Sequence, residues 1–376
     1  MAGKARLLAR RTFLIINGII VLLFLLSCLA PYLNPQRWWF IAVLGLGFAA
    51  TLSTLLLFLV FTLIVKPRYA LLSVAALLLG FRSIAVFFAF SGGGAQSAGY
   101  APRKGAHSLR VVHWNVARFI EQRRNNNEGS QTRQKMLDQL RKQNADIICF
   151  QEFMQATGKE FYDNLGYIRN TLGYKYFYFP RGEGFKNWYG QAIFSRYPLI
   201  DTGYLTFPRP GTPEKLLWAD VVLGGRNIIR IYTSHLQSYK LEKDDYERIE
   251  KIKNREDSLI PNSLSLWSKL KRATAIRAVQ ADIVRDVLDR CTYPIVFTGD
   301  LNDVPNSYAY QTVRGRLQDA FLQKGFGIGR TYNALAPTLR IDYIFTTRDF
   351  KVLQFRRIAR DLSDHYMLVA DLEWKR

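Results

Sequence analysis

The chain has 376 residues, with 52 Lys or Arg against 30 Asp or Glu and a formal charge of +22. The charge is unevenly spread: residues 1–90 hold eight basic and no acidic side chains, so the rest of the chain carries every Asp and Glu and a net +14. That split excludes a single soluble globule, and the basic remainder suits phosphate-rich partners without choosing between nucleic acid and an anionic membrane. Cys28, Cys149 and Cys291 show no CxxC spacing and no histidine cluster beside them, which argues against a disulfide framework or a structural zinc.

Residues 12–30 are apolar over the ~20 residues needed to cross hydrocarbon, and two further apolar stretches, 39–65 and 69–90, flank the VKPRY turn. Three transmembrane helices are expected. The basic start AGKARLLARR and the Lys66/Arg68 turn belong on the cytoplasmic side, whereas the first loop has only Arg37. This orientation places everything after residue 90 on the periplasmic or outer face of a bacterial inner membrane. A cleaved signal peptide is the rival reading of the first stretch and would reverse the sidedness. Arg82, inside the third stretch, needs a partner or a polar interface. Residues 91–104, with SGGGAQSAG, have the composition of a flexible linker and leave 105–376 as a separately folded domain.

Beyond residue 105, eight apolar, β-branched or aromatic runs read as strands: SLRVVHWNV, ADIICFQEF, GQAIFSRYPLI, LLWADVVLGG, NIIRIYTSHL, YPIVFTGDLN, RIDYIFTT and HYMLVADLEW. TRQKMLDQLRKQN and KRATAIRAVQADIVRDVLDR read as amphipathic helices. So many apolar strands need two sheet faces to bury, so the expected fold is a pair of packed sheets with outer helices.

Charged and amide residues recur at the strand ends, which is where convergent sites are built on rigid scaffolds. They are Asn115, Glu152, His235, Asp300 with Asn302, Asp342, and Asp364 with His365. Glu152, Asp364 and Asn115 offer the oxygen donors that suit Mg²⁺, Mn²⁺ or Ca²⁺. Asp300 can orient or deprotonate water while Asn302 holds a phosphoryl oxygen. His235 and His365 can donate protons to charge developing on phosphorus, and Asp342 can fix the ring of His365. Each has a plainer alternative: Glu152 as a solvent carboxylate, Asn115 as a turn residue, His235 as a structural histidine, Asp364 as a loop cap. Asp342, inside an apolar strand, would be costly without a partner. His107 and His113 read as structural or surface residues. No GxGxxG or Walker loop is present.

Taken together, RVVHWNV, FQEF, GQAIFSRYPL, YTSHLQS, TGDLND, RIDYIF and SDHYML, in that order across residues 108–374, resemble the endonuclease/exonuclease/phosphatase (DNase I-like) superfamily. The resemblance implies a four-layered α/β sandwich and metal-dependent attack of water on a phosphate ester. It also implies Glu152 as principal metal ligand with Asn115 and Asp364 nearby, and Asp300 at the nucleophilic water. Asn302, His235 and His365 would contact the phosphate, with Asp342 supporting His365. His235 favours the nuclease, sphingomyelinase and phosphatase branches over those that cut abasic DNA, and His113 departs from the small hydroxyl residue common at its position.

An anchor of several spans favours a substrate that lies in the membrane, a phospholipid or a polyprenyl (pyro)phosphate. The architecture also resembles membrane phosphatases associated with glycopeptide resistance. A sphingomyelinase-like phospholipase and a membrane-tethered nuclease are the alternatives, and no obligatory protein partner is implied. Two stretches bear on this choice. Residues 240–272 pass from a charged run into SLIPNSLSLWSKLKR and suit either an anionic interface or a cover on the domain core. The aromatic run 174–190 suits core positions, with Arg181, Lys186 and Asn187 as candidate phosphate contacts.

Overall fold

The chain is described by a computed structural model at residues 2–91, 104–105, 108–125, 128–180, 187–208, 214–225, 227–239, 259–334, 336–358 and 361–375. Most of the expected linker, the charged run up to residue 258, His107, Arg181 and Lys186 lie outside these residues, as does the side chain of Asn187. Two compact units emerge. One combines Met1–Phe87 with Tyr239–Val279 and Asp303–Thr312; the other combines Phe88–Ser238 with Gln280–Asn302 and Val313–Arg376.

The first unit contains helices α1 (Ala2–Cys28), α2 (Pro35–Leu46), α3 (Phe48–Val65), α4 (Ala70–Leu79) and α5 (Phe81–Phe87). Two helices rather than three are straight, long and apolar enough to cross a membrane, Arg10–Cys28 with 19 residues and Phe48–Val65 with 18. The expected 39–65 span is divided at Gly47, which ends α2 and opens α3. The expected third span is a pair bent by 62°, Pro67–Leu79 and Phe81–Phe87, and counts as one crossing only if the bent pair is taken together. The bend falls at Gly80, where an added Cβ would lie 2.5 Å from Cζ of Phe24, so only glycine lets the backbone come this close. Arg82 lies just past the bend and is exposed.

This unit is inside out by the standards of a water-soluble protein. Asn17, Ser27, Thr62 and Ser73 are buried, while Leu57, Ile64, Leu78 and Leu79 are among its most exposed side chains. Ser73 Oγ donates to Asn17 Oδ1 at 3.3 Å, and the Ser27 and Thr51 hydroxyls pair at 3.1 Å. Polar groups that bond across helices beneath an apolar exterior suit hydrocarbon, not water. The bundle is therefore read as membrane-associated.

Among the described residues, the second unit holds twelve strands in two six-stranded sheets. The first contains β1 (Ser108–Asn115), β2 (Ile147–Ala156), β3 (Tyr176–Tyr178), β4 (Asn187–Ser195), β11 (Phe350–Ile358) and β12 (Met367–Trp374), in the order β11-β12-β1-β2-β4-β3. The second contains β5 (Leu199–Thr206), β6 (Lys215–Val222), β7 (Ile228–His235), β8 (Ile295–Asp300), β9 (Gln318–Asp319) and β10 (Asp342–Thr346), in the order β5-β6-β7-β8-β10-β9. All eight expected strands are present; β3, β5, β9 and β11, shorter or more polar, complete the edges. Helices α6 (Thr132–Gln143), α7 (Leu259–Asp289), α8 (Tyr308–Arg314) and α9 (Ala320–Lys324) follow in chain order, with α7 divided between the units at Val279 and α8 at Thr312. The second unit thus has the two-sheet α/β sandwich architecture expected from the sequence.

Strand parity explains the core. In β1 and β2, Leu109, Val111, Ile147 and Cys149 point into the layer between the sheets and meet Leu217, Ile229, Ile231, Val296 and Ile344. The alternate residues Val112, Trp114, Ile148 and Phe150 pack outward against Met136, Leu137 and Leu140 of α6. Both faces are apolar, so the strands read as continuous hydrophobic runs. Arg110 is an exception, fully buried and bridged to Asp371 of β12 by bonds of 2.7 and 2.8 Å. Its third nitrogen donates to Gln143 O at 2.8 Å, tying the end of α6 to the sheet. Asp371→Ala would strand this guanidinium in the core, and a loss of about 3–5 kcal/mol is expected, readable as a lowered thermal midpoint of the full-length protein in detergent.

Candidate active site

Parallel pairing sets where the polar residues gather. β1 runs parallel to β2 and β7 parallel to β8, so these four strands finish at one end of the sandwich, and the antiparallel β10 and β12 begin there. Along the inward-facing series, aliphatic side chains give way to polar ones at that end: Leu109, Val111, His113, Asn115 on β1, and Ile229, Ile231, Thr233, His235 on β7. The interlayer is therefore dry at one end and hydrogen-bonded across at the other. Gln151 Nε2 reaches Thr233 Oγ1 of the opposite sheet at 2.7 Å, and Thr233 pairs with Thr298 at 3.0 Å.

Asp300 stands at the centre, 1% exposed at the end of β8. Its Oδ2 accepts from Asn115 Nδ2 at 3.1 Å and lies 3.5 Å from His235 Nε2 and 3.6 Å from His365 Nε2. Its Oδ1 accepts from the backbone N–H of Asn302 at 2.9 Å. Asn302 holds φ at +51° while its amide donates to Leu236 O at 3.0 Å, which fixes the turn after β8. Asp342 is the residue opposite Asp300 in the β8–β10 register. Its two oxygens are shared between His365 Nδ1 at 2.9 Å and His113 Nε2 at 3.0 Å.

Six expected residues, Asn115, His235, Asp300, Asn302, Asp342 and His365, thus form one connected network. Glu152 and Asp364 stand outside it. Asp364 is exposed; its Oδ1 lies 3.2 Å from the Ser363 hydroxyl, which also donates to Asn115 O at 2.9 Å, and its charge acts on His365 through space. Glu152 sits at a β-bulge where the β2–β4 register slips between Phe150 and Phe153, with φ at +51°. Phe153 thereby takes the outward core position that Glu152 would otherwise fill. The Glu152 carboxylate accepts no hydrogen bond among the described residues and has only Arg118 Nε at 4.0 Å. Arg118 lies in a run of left-handed residues, Ala117 to Ile120, and its guanidinium covers the Tyr189 ring at 4.5 Å.

The electrostatics follow from burial and pairing. Burial and the neighbouring Asp342 raise the Asp300 carboxyl above its usual range, partly countered by His365 and His235. Burial alone would raise Asp342 too, but His365 and His113 hold it well below the ordinary carboxylate range. His365 would be lowered by burial, yet Asp342 and Asp300 push it up to about 10. The site therefore combines an ionised Asp342, an imidazolium at His365, and a carboxylate at Asp300 made more basic than usual. That combination can take a proton from water at one point and hold negative charge at another.

Two kinds of donor set are open to a divalent cation. Asp300, Asp342 and His365 offer ligand atoms within 4.8 Å of one another. A protonated His365 already bonded to Asp342 has no lone pair to give, however, so this trio is arranged first for hydrogen bonding. The unbonded Glu152 carboxylate, with the exposed Asp364 and the Asn115 carbonyl oxygen, supplies the hard oxygen chemistry that suits Mg²⁺, Mn²⁺ or Ca²⁺. The residues present fit such an ion.

Residues not singled out from sequence also belong here. His113, assigned a structural or surface role, is fully buried and is the second partner of Asp342; its two-residue spacing from Asn115 was the available signal. Trp114 donates from Nε1 to His365 O at 3.0 Å, and Tyr332 lies against the His365 ring at 4.9 Å. The aromatic run serves mostly as core: Tyr174 and Phe179 are buried, whereas Tyr176 and Tyr189 stay exposed.

Because its folded-state pKa is raised above the ordinary histidine value of about 6.5, His365 contributes stability that is fully present below that value and fades as pH rises through about 10. With only four histidines in the chain, ring NMR on the chelator-treated protein should show one imidazole protonated far above neutrality. Asp342→Asn should bring that titration down toward the ordinary range.

The profile of the Endonuclease/Exonuclease/phosphatase family matches residues 112–365, and that of a domain of unknown function matches residues 10–87. No curated protein matches the chain. Among solved structures, it is similar to an endonuclease/exonuclease/phosphatase from Beutenbergia cavernae DSM 12333, at 19% identity and TM-score 0.46 with 72% of each chain covered. It is similar to the human Nocturnin catalytic domain with bound sulfate anion, at 17% identity and TM-score 0.49 over 71% of this chain and 94% of that one. A family protein from Leptotrichia buccalis C-1013-b gives 18% identity and TM-score 0.46 over 71% and 100%. With two thirds of its length inside the family profile, the chain belongs to the Endonuclease/Exonuclease/phosphatase family and is a metal-dependent phosphohydrolase.

Proposed function

We propose that this enzyme hydrolyses the phosphate ester or pyrophosphate of a membrane lipid, a phospholipid or a polyprenyl (pyro)phosphate, at the periplasmic face of a bacterial inner membrane. The observation that carries this reading is the joining, in one chain, of a phosphohydrolase unit to an inside-out apolar bundle. Fixing a catalyst beside the bilayer raises the effective concentration of a lipid substrate and restricts its orientation, an advantage a soluble polynucleotide would not share. Within the bundle's unit, Trp39 and Trp267 meet edge to face at 6.3 Å, and Lys271 lies over the Trp39 ring at 5.3 Å. Tryptophan with lysine is the composition of a headgroup-level anchor, which supports the interfacial reading of the stretch ending near residue 272.

In this mechanism Glu152, Asp364 and Asn115 would hold the divalent cation, which when bound would supply positive charge to offset that of the phosphoryl oxygens. Asp300, made basic by burial, accepts the proton of the attacking water, and Asn115 and Asn302 keep its two oxygens oriented. His365, held as an imidazolium by Asp342, donates a hydrogen bond to the negative charge that builds on the phosphoryl group, and His235 does so from the other side of Asp300. The second N–H of the Asn302 amide, whose first is given to Leu236 O, would contact a phosphate oxygen. His113 supports Asp342 and so acts on the reaction only through His365.

Phosphate or headgroup release by the full-length protein in detergent, with Mg²⁺, Mn²⁺ or Ca²⁺, tests the substrate class. Undecaprenyl pyrophosphate, sphingomyelin, phosphatidylinositol and plasmid DNA are compared in parallel. Turnover of one lipid is expected, with Asp300→Asn slower by about 10²–10⁴-fold; cutting of DNA alone would make the bundle a tether for a nuclease, which the +14 charge after residue 90 would then serve. Sidedness is read separately. A C-terminal alkaline phosphatase fusion should be active in intact bacterial cells, and a green fluorescent protein fusion dark.

A further inference from the structure

An open polar cavity lies in the catalytic unit, and none of its lining residues belongs to the connected network around Asp300. It measures about 510 Å³ and is lined by Arg124, Arg133, Tyr162, Asp163, Tyr167 and Asn170 among others. Its walls come from the segments that follow β1 and β2. Arg123 and Phe161 form an isolated β-bridge, and Arg124 is fixed by its backbone N–H to Glu160 O at 2.8 Å and by Nε to Phe161 O at 3.0 Å. Also on the wall, the chain enters a π-helical turn, Tyr167–Thr171, a distortion found frequently at functional sites.

Arg133 is the unusual group. It is 7% exposed, and the nearby carboxylates Asp163 and Glu121 act on it through space without an ion pair within 4.0 Å among the described residues. Its Nε donates to Asn164 Oδ1 at 2.7 Å, and its guanidinium carbon lies 4.2 Å from the Tyr162 ring and 5.6 Å from the Tyr167 ring. Asn164 Nδ2 in turn donates to Met154 O at 2.8 Å, so the fork is held by a buried amide fixed to β2. The two terminal nitrogens of Arg133 take no protein partner among the described residues and are not sealed from the cavity. A largely buried guanidinium beside two aromatic rings, with its fork left open, is arranged for a bidentate oxyanion. Asp163, the one acid on the wall, is already engaged: its Oδ1 accepts from Gly166 N at 2.8 Å and from Gln155 Nε2 at 3.1 Å.

We propose that this cavity is an anion site for a terminal phosphate group, gripped by Arg133 and closed at the rim by Arg124, and separate from the residues that carry out hydrolysis. Phosphate oxygens would pair with the free edge of Arg133 and with the Arg124 guanidinium, and the Tyr162 and Tyr167 rings leave room beside them for the group that bears the phosphate. A free phosphomonoester and a lipid headgroup share this chemistry.

Calorimetric titration of the full-length protein in uncharged detergent, with a chelator present to remove divalent cations, tests the site without reference to turnover. Inorganic phosphate and dihexanoyl phosphatidic acid are the two probes. Binding of at least one is expected in the wild type and in Asp300→Asn, weakened at least tenfold in Arg124→Gln and in Arg133→Lys. Lipid binding at least tenfold tighter than inorganic phosphate would assign the site to a headgroup, and equal binding to the phosphate alone. Arg124 is exposed, so its variant tests the site even if Arg133→Lys fails to fold. Absence of binding to the wild type, or binding that survives Arg124→Gln undiminished, would overturn the proposal while leaving the assignment of the hydrolytic site untouched.

Discussion

The catalytic unit depends on what happens where two apolar sheet faces stop being apolar. Over most of their length the inward side chains of β1, β2, β7, β8 and β10 are aliphatic and close the interlayer without polar contacts. At one end the same positions are His113, Asn115, Gln151, Thr233, His235, Thr298, Asp300 and Asp342. Removed from water, each must find a partner, and the nearest groups belong to the opposite sheet. The bonds Asn115–Asp300, His113–Asp342 and Gln151–Thr233 therefore fix the two sheets against each other and position the reactive groups by the same contacts. The need to pair most of what is polar in the interlayer gives the site its geometry, although His113 Nδ1 and Gln151 Oε1 find no partner among the described residues.

The same demand divides the charges. Two carboxylates on facing positions of neighbouring antiparallel strands, Asp300 and Asp342, repel one another in a buried setting. The conflict is resolved unequally because Asp342 has two histidine partners at hydrogen-bond distance and Asp300 only looser contacts with His235 and His365. One carboxylate is locked as an ion and the other is left easier to protonate. Trp114 and Ser363 add to this from below by bonding the backbone of the His365 loop, which keeps the ring from swinging away from both acids.

Much of this was legible in the sequence, for a definite reason. Strands buried on both faces leave long apolar runs, and polar residues at the ends of such runs stand out, which is why Asn115, His235, Asp300, Asp342 and His365 could be named before their contacts were seen. His113 was passed over because a histidine beside a tryptophan looks like packing when only neighbours in sequence are weighed; its partner is 229 residues away. The edge strands offer little pattern to read: β3 and β9 are three and two residues long, β5 has no buried residue, and β11 carries five half-buried positions in a row. The membrane stretches were recognised by apolarity alone, and apolarity does not report a break. Gly47 and Gly80 divide what composition presents as continuous, one as a shared helix cap and the other as a contact point for Phe24.

The bulge in β2 acts as a phase shift in a strand that otherwise keeps time with the core. Before it, even-numbered residues pack outward; after it, Phe153 does. One side chain is released from the alternation, and Glu152 is that side chain. The hydrophobic pattern on both flanks can thus be conserved for folding while the released position is free to be chosen for chemistry. Deleting a single residue between Phe150 and Phe153 would leave Phe153 facing outward by plain alternation and every side chain beyond it in its present layer, so the packing order would survive while the position set apart from it would be lost.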